Sequence, residues 1–355
     1  MLPEKLKQID TRLIELLRDR LSILAQSEMP NLEEQVSAVA PLLADAGIPE
    51  QIWKSVLTSS MGAIATSVAA VESGQTRKVT IIGGSGRMGK FFTEELSAAG
   101  HQVSSLGRND WERADILLGE ADLVIVSVSI EQTEAAIARA AKYLAPTTAL
   151  ADITSIKTGP VQAMMQHHTG PVMGLHPMFG PRIKSFSEQK VVVCPGRQDE
   201  AFQWFLDFLK SKGAKLILST PEEHDRMMVV IQATQHFSRF CLGLFLAAEN
   251  IDIGRSLLMS SPSYRQEIEI VNRLFAQSPA LCADIILATE ERCQAIERLA
   301  NTYNRLAQIV AKKDRTALIE EFEATQSFFT DNSIQPVKER NYAVREYAQP
   351  KGIAI

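Results

Sequence analysis

Gly84, Gly86 and Gly89 stand at the spacing G-x-G-x-x-G within GGSGRMG, Gly83–Gly89. That spacing suits a pyrophosphate cradle. The first glycine makes the tight turn, the second lets backbone N–H groups approach the phosphates, and the third lets a helix pack close to a strand. Ser85, Arg87 and Met88 fill the other places and complete the candidate cofactor-binding residues of the loop. Ordinary strand-to-helix turns also carry such glycines. The binding reading is favoured because a β-branched strand, Lys78–Ile82, precedes the loop and a helical stretch, Met88–Ala99, follows it.

Three further groups could do chemistry beside that loop. An acid about twenty residues after the first glycine would hold the ribose 2′-hydroxyl of NAD, but Gly107 and Arg108 stand there, with Asp110 close by. Arg108 is either a partner for the 2′-phosphate of NADP or a solvated loop residue, so NAD and NADP both remain open. His176 lies within GPVMGLHPMFGP, Gly170–Pro181. A lone histidine is often structural, but this one follows strands that end at the proposed crevice, where a neutral imidazole could act as a base. Arg265 and Arg273, in SSPSYRQEIEIVNRLFAQ, lie a little more than two helical turns apart and close to one face. They suit a dianionic substrate or, alternatively, surface pairing with Glu267 and Glu269.

The elements that must position these residues follow from periodicity. Strands are expected at Gln102–Leu106, Asp122–Val128 and Ala149–Ile153, with a helix at Glu131–Tyr143, giving a β-α-β succession and a mostly parallel sheet. Ligands of such sheets bind at the carboxyl ends of the strands, which gathers Gly84–Gly89, Ser127, Ser129 and the residues after Ile153 around one crevice. The stretch Val161–Val193 reads as loop-rich, and a strand at Lys190–Cys194 closes the α/β part. From Pro221 the pattern is helical. One long helix, Glu222–Asn250, carries Met227, Met228, Ile231, Phe237, Phe240, Leu244 and Phe245, a stripe that suits a core or a dimer face, with core favoured.

At the other end, Leu6, Ile9, Leu13, Leu16, Leu17, Leu21 and Leu24 mark an amphipathic helix. Asn31 and Glu34 read as a capping box opening a second helix to about Asp45, and a third is expected near Gln51–Ala70. So short a helical segment needs a copy of itself or the rest of the chain to bury its apolar face. The expected organisation is a helical domain at 1–71, a linker at 72–77, a dinucleotide-binding domain of Rossmann type at 78–220, a helical dimerisation and substrate domain at 221–335 and a tail at 336–355.

Composition narrows the class. A formal net charge of −5 with no basic stripe argues against a nucleic-acid partner. The four cysteines, Cys194, Cys241, Cys282 and Cys293, form no C-x-x-C pair, so neither a disulfide framework nor a metal site is expected. No apolar run is long enough to span a bilayer and no signal-like segment opens the sequence, so a cytoplasmic protein without a membrane partner is expected.

From Lys78 to about Phe329 the chain resembles the prephenate dehydrogenase of the bifunctional chorismate mutase–prephenate dehydrogenase (T-protein) family of tyrosine biosynthesis. The resemblance rests on GGSGRMG, on ADLVIVSVSI at Ala121–Ile130, on SIKTGPVQAM at Ser155–Met164 and on GLHPMFGP at Gly174–Pro181. EHD at Glu223–Asp225 and SSPSYRQEIEIVNRLFAQSP at Ser260–Pro279 complete it. It implies oxidative decarboxylation of prephenate to 4-hydroxyphenylpyruvate with hydride transfer to NAD or NADP. On that resemblance His176 is the catalytic histidine that accepts a hydrogen bond from the ring hydroxyl, and Lys157 and Ser127 belong to the catalytic region. Arg273 binds the ring carboxylate with Arg265 in support, and His236 lies in the region linked to inhibition by tyrosine. A homodimer is expected.

The sequence departs from the family pattern in three places. Gly107 and Arg108 replace the acid at the end of the second strand. Arg182 follows GLHPMFGP where relatives carry an acid, and a cation there disfavours the ammonium group of arogenate, so prephenate is the expected substrate. In the N-terminal segment LKQIDTRLIELLRDRLSIL resembles the first helix of the mutase half and Arg20 aligns with one of its active-site arginines, but Pro3 replaces another and the remaining cations are missing. One arginine cannot surround a dicarboxylate, so residues 1–71 read as a degenerate, mutase-like helical domain. The alternatives carried forward are a bifunctional enzyme that keeps mutase activity and an arogenate dehydrogenase.

Overall fold

The structure is a computed structural model, and it describes residues 3–24, 31–57, 60 and 76–331. The chain divides into two compact units between His224 and Asp225.

The first unit is built on a seven-stranded sheet. Its strands are β1 (Lys78–Ile82), β2 (Gln102–Leu106), β3 (Leu123–Val126), β4 (Ala149–Asp152), β5 (Val172–Pro177), β6 (Lys190–Arg197) and β7 (Lys215–Leu218). Their spatial order is β2-β1-β3-β4-β5-β6-β7. Strands β1 to β5 run parallel, β6 is antiparallel to β5, and β7 is parallel to β6. Every residue of β3, β4 and β5 is buried, as expected of central strands covered on both faces. The covering helices Arg87–Ala98, Ala114–Gly119, Ile130–Ala140, Thr158–His167 and Gln203–Ser211 are called α3 to α7. Ile137 and Ala140 of α5 with Val161, Ala163 and Met164 of α6 close one core over Val124, Val126 and Leu150.

Before the sheet lie α1 (Glu4–Leu24) and α2 (Leu32–Asp45), with residues 50–57 also helical. The capping box is present: Glu34 N–H donates to Asn31 Oδ1 at 2.8 Å, and Asn31 N–H donates to Glu34 Oε2 at 3.3 Å. No residue of α1 is buried, and Ile9, Leu13, Ile14 and Ile23 are exposed. The remainder of the expected third helix, linker residues 72–75 and the tail from 336 lie outside the described residues.

The second unit is helical, and the boundary falls within the helix that leads into it. Helix α8 (Pro221–Met228) leads through a π turn, Val229–Thr234, into α9 (Gln235–Ala248). Helices α10 (Ile253–Leu258), α11 (Pro262–Phe275), α12 (Pro279–Leu287), α13 (Glu290–Ala311) and α14 (Arg315–Asp331) follow. Among the described residues no single helix is long and apolar enough to cross a membrane.

The fold corrects several expectations. The stretch expected to be loop-rich contains α6 and β5, and His176 stands inside β5, paired with Val192 of β6. Its glycine and prolines read as punctuation, yet Gly174 is there for space: a Cβ would meet Val161 Cγ2 at 2.7 Å and Lys157 Cδ at 3.0 Å. The long helix at Glu222–Asn250 is interrupted by the π turn, which inserts a residue and rotates the face that follows. The Met–Phe stripe is not simply core either. Met228 is buried, while Met227, Ile231, Phe240, Leu244 and Phe245 are exposed in the single chain.

Candidate active site

The carboxyl ends of β1 to β5 lie along one edge of the sheet, because these five strands are parallel and in register. The chain passes from β1 to β2 on one side and later to β3 on the other, which makes the β1/β3 boundary the switch point where such sheets take ligands. Ser127, directly after β3, donates its N–H to the Ile82 carbonyl at 2.8 Å and ties the boundary together.

The glycine loop sits there. Gly83, not Gly84, takes the left-handed turn, with φ of +82°. A Cβ on Gly84 would come within 2.5 Å of Ser105 Oγ, so Gly84 serves the close passage of the loop over β2. A Cβ on Gly89 would meet the Gly83 carbonyl at 2.5 Å and Gly84 Cα at 2.7 Å, which is why α3 can begin against the loop. Gly86 caps α3 and offers no side-chain hydrogen bond. The first N–H groups of the helix are therefore left for an anion, reinforced by the helix dipole. Ser85, Gly86 and Arg87 are exposed and Met88 is half-buried. These residues fit a dinucleotide pyrophosphate.

At the end of β2, Asp110 Oδ2 accepts the Gly107 N–H at 2.7 Å, so this carboxylate serves the turn. Arg108 is exposed beside it.

At the end of β4 the interior is charged. Asp152 and Lys157 are both fully buried and form an ion pair through Asp152 Oδ2. The same oxygen accepts from Thr154 N at 3.0 Å and Thr154 Oγ1 at 2.5 Å. Lys157 Nζ also donates to the Leu175 carbonyl at 2.8 Å, bracing the residue before His176. On β5, His176 is buried, and its Nδ1 lies 2.7 Å from Nε2 of His224, also buried. Ser127 is half-buried at the same edge, and Arg182 is exposed on the loop after β5.

The second unit holds the other expected residues. Arg265 and Arg273 are exposed on α11, whose opposite face buries Ile268, Val271 and Leu274. Among the described residues no ion pair joins either arginine to Glu267 or Glu269. His236 is half-buried, and its Nδ1 lies 2.8 Å from the Gln232 carbonyl. Burial and the nearby Arg239 and Arg292 push its pKa below that of an ordinary histidine.

Sequence reasoning did not assign roles to Asp152, Thr154 or His224. Asp152 ends a strand at the crevice edge, a position that carries signal; His224 was visible only as the centre of EHD.

A sheet that passes from a glycine loop into a bare helix N-terminus is suited to hold a dinucleotide, and a histidine at the same edge makes the molecule, by class, a dehydrogenase. Residues 97–218 match the nucleotide-binding domain of prephenate dehydrogenase, and residues 220–324 match the prephenate dehydrogenase dimerization domain. The chain is 37% identical over 350 residues to a T-protein of Enterobacter agglomerans, covering 94% of this chain and 93% of that one. It is 41% identical over 269 residues to a T-protein of Haemophilus influenzae, covering 76% and 71%. The chain belongs to the prephenate dehydrogenases of the T-protein family. Its fold is shared with the prephenate dehydrogenase of Aquifex aeolicus solved with hydroxyphenyl propionate and NAD+, at a TM-score of 0.57 and 17% identity over 73% of this chain and 99% of that one.

Proposed function

We propose that the chain oxidatively decarboxylates prephenate to 4-hydroxyphenylpyruvate, in the synthesis of tyrosine, using His176 as the base. The observation that carries this reading is a buried histidine near the carboxyl end of β5, in the same parallel sheet whose first strand leads into the glycine loop, in a chain from this family. A nicotinamide dinucleotide supplies the hydride acceptor, and the N–H groups at the start of α3 with Gly84, Ser85, Gly86, Arg87, Met88 and Gly89 hold its pyrophosphate.

As hydride leaves the ring carbon, that carbon becomes electron-poor and its hydroxyl more acidic. A neutral His176 accepts the hydroxyl hydrogen bond and stabilises the developing charge. The electron pair of the bond to the ring carboxyl then closes the aromatic ring as carbon dioxide departs, and the hydroxyl retains its proton in the product. Ser127 orients the ring from the end of β3. Lys157, fully buried against Asp152, braces the Leu175 carbonyl and thereby positions His176. Arg273 pairs with the substrate carboxylate, supported by Arg265 on the same helix. His236 contributes to feedback inhibition by tyrosine.

Arg182 repels the ammonium group of arogenate, so prephenate is the preferred substrate. Arg108 permits NADP beside NAD, since Asp110 is occupied with the turn. Arg20 is partly engaged within its own segment: its Nη2 donates to Gln35 Oε1 at 2.5 Å and its guanidinium lies 6.0 Å from the Trp53 ring centroid. The N-terminal helices therefore act in folding or association, and chorismate mutase activity is not expected. The exposed apolar face of α9 and the unburied stripe of α1 support a homodimer.

Initial rates on prephenate, arogenate and chorismate, each with NAD and with NADP and then with added tyrosine, test the whole reading. Prephenate is expected to be oxidised most efficiently and chorismate left unconverted; better turnover of arogenate, or conversion of chorismate without an added mutase, overturns the corresponding part. His176→Asn is expected to lower kcat by roughly a thousandfold or more while cofactor affinity stays nearly unchanged. Retained turnover removes His176 from the mechanism.

A further inference from the structure

His224 stands at the centre of EHD, and the reaction as described assigns it no part. It is 2% exposed, and its partner His176 is 3% exposed. The rings meet edge to face, with centroids 4.9 Å apart and planes at 70°, and the 2.7 Å approach joins Nδ1 of His176 to Nε2 of His224. Both residues belong to the first unit.

A hydrogen bond between two neutral imidazoles holds one proton, and its location decides what the far nitrogen can do. With the proton on Nδ1 of His176, that ring carries its lone pair on Nε2 and can accept from a hydroxyl. With the proton on Nε2 of His224, neutral His176 must carry hydrogen on its own Nε2 and cannot act as a base. We infer that His224 is a positioning residue that keeps the proton on Nδ1 of His176 and thereby turns the Nε2 lone pair of His176 to the substrate hydroxyl. The inference rests on the reading of His176 as the base.

His224 then plays the part that a buried carboxylate plays behind the histidine of hydrolytic triads: it fixes the tautomer and the ring orientation. As the substrate hydroxyl grows more acidic and leans its proton toward Nε2 of His176, the Nδ1–H of that ring remains bonded to the His224 lone pair and the bond strengthens. No proton has to pass to His224. A proton placed on Nε2 of His224 would reverse the bond and silence the base, so the direction of this one hydrogen bond sets the competence of His176. Charged groups lie nearby along the elements that carry the two rings. Lys157 reaches the Leu175 carbonyl beside His176, while Glu223 and Asp225 flank His224 in the chain, with Glu223 accepting from Ser219 Oγ at 3.1 Å.

The test compares His224→Leu, His224→Gln and His176→Asn in the full chain, by steady-state kinetics on prephenate across pH and by direct measurement of cofactor binding. His224→Leu removes the acceptor, and kcat is expected to fall roughly a hundredfold with cofactor affinity little changed. His224→Gln keeps a carbonyl that accepts from Nδ1 and is expected to recover kcat to within about tenfold of the parent. In both variants the acid limb of the kcat/KM profile moves, because Nδ1 of His176 loses the imidazole it is hydrogen-bonded to and its charged form is stabilised differently; a residue that only supports the fold would leave it in place.

The inference is overturned if folded His224→Leu keeps kcat within about threefold of the parent, or if His224→Gln falls as far as His224→Leu. Should His224→Leu not fold, His224→Gln decides: high kcat with a displaced acid limb supports the inference, and an unmoved limb or a hundredfold loss overturns it. His176→Asn separates the two levels, since turnover surviving in that variant refutes the base itself, whereas its loss beside unaffected His224 variants refutes the present inference alone.

Discussion

Lys157 carries its ammonium into the interior, where Asp152 and the Leu175 carbonyl receive it. Such a pair is costly to break and cheap to replace, because the penalty lies in stranding one buried charge. Asp152 Oδ1 already has no hydrogen-bond partner, so its carboxylate leans on Lys157 and Thr154 through the other oxygen. Lys157→Met is accordingly expected to destabilise the chain by about 3–5 kcal/mol in urea unfolding, and Lys157→Met with Asp152→Leu to recover much of that loss. If the double variant is no more stable than the single one, the buried charge of Asp152 is not the cause. Activity in the double variant should stay low, since no donor then holds the carbonyl before His176. Sequence alone made Lys157 a residue of the catalytic region; its depth and its partner make it a brace.

At the scale of elements, the glycine loop and α3 work as one part. The loop turns through Gly83, and the helix starts against its backbone because Gly89 has no side chain. Gly89→Ala places a methyl where backbone stands at 2.5 Å, and backbone cannot yield as a side chain can. The loop must shift, and the cofactor dissociation constant is expected to rise by at least about tenfold, equivalent to about 1.4 kcal/mol. Fluorescence titration of the folded variant checks this, and unchanged affinity would mean the loop does not bind the dinucleotide. Strand β5 teaches the opposite lesson. Its glycine and proline hide a strand that periodicity alone reads as loop, because Gly174 answers to Val161 and Lys157, residues distant in the chain.

At the scale of the molecule, the single chain leaves much apolar surface open. Leu244 and Phe245 on α9 are 53% and 59% exposed, and Ile231 and Phe240 are also exposed. Surfaces of that kind are covered by partners in soluble proteins. Leu244→Asp with Phe245→Asp is expected to convert a dimer to monomers in sedimentation velocity. A parent chain that sediments as a monomer would refute the dimer. The stripe itself was legible in the sequence, but periodicity reports only that a face is apolar. Whether the chain covers that face itself depends on which helices reach it, and the π turn at Val229–Thr234 changes the register between Met228 and Phe240.

Local chemistry wrote several features directly into the sequence: the glycine loop between strand and helix, the Asn31–Glu34 capping box and the buried runs of β3 and β4. Each depends on neighbours a few residues away, so spacing suffices to find it. The phrases around His176 and Arg273 likewise carried the family. Tertiary structure alone decided that His176 meets His224, 48 residues later in the chain, and that Lys157 meets Asp152 and the Leu175 carbonyl rather than solvent. These are pairings of side chains across the strands, turns and helices of one sheet edge, and the free energy of a buried polar group depends on the partner that the fold brings to it.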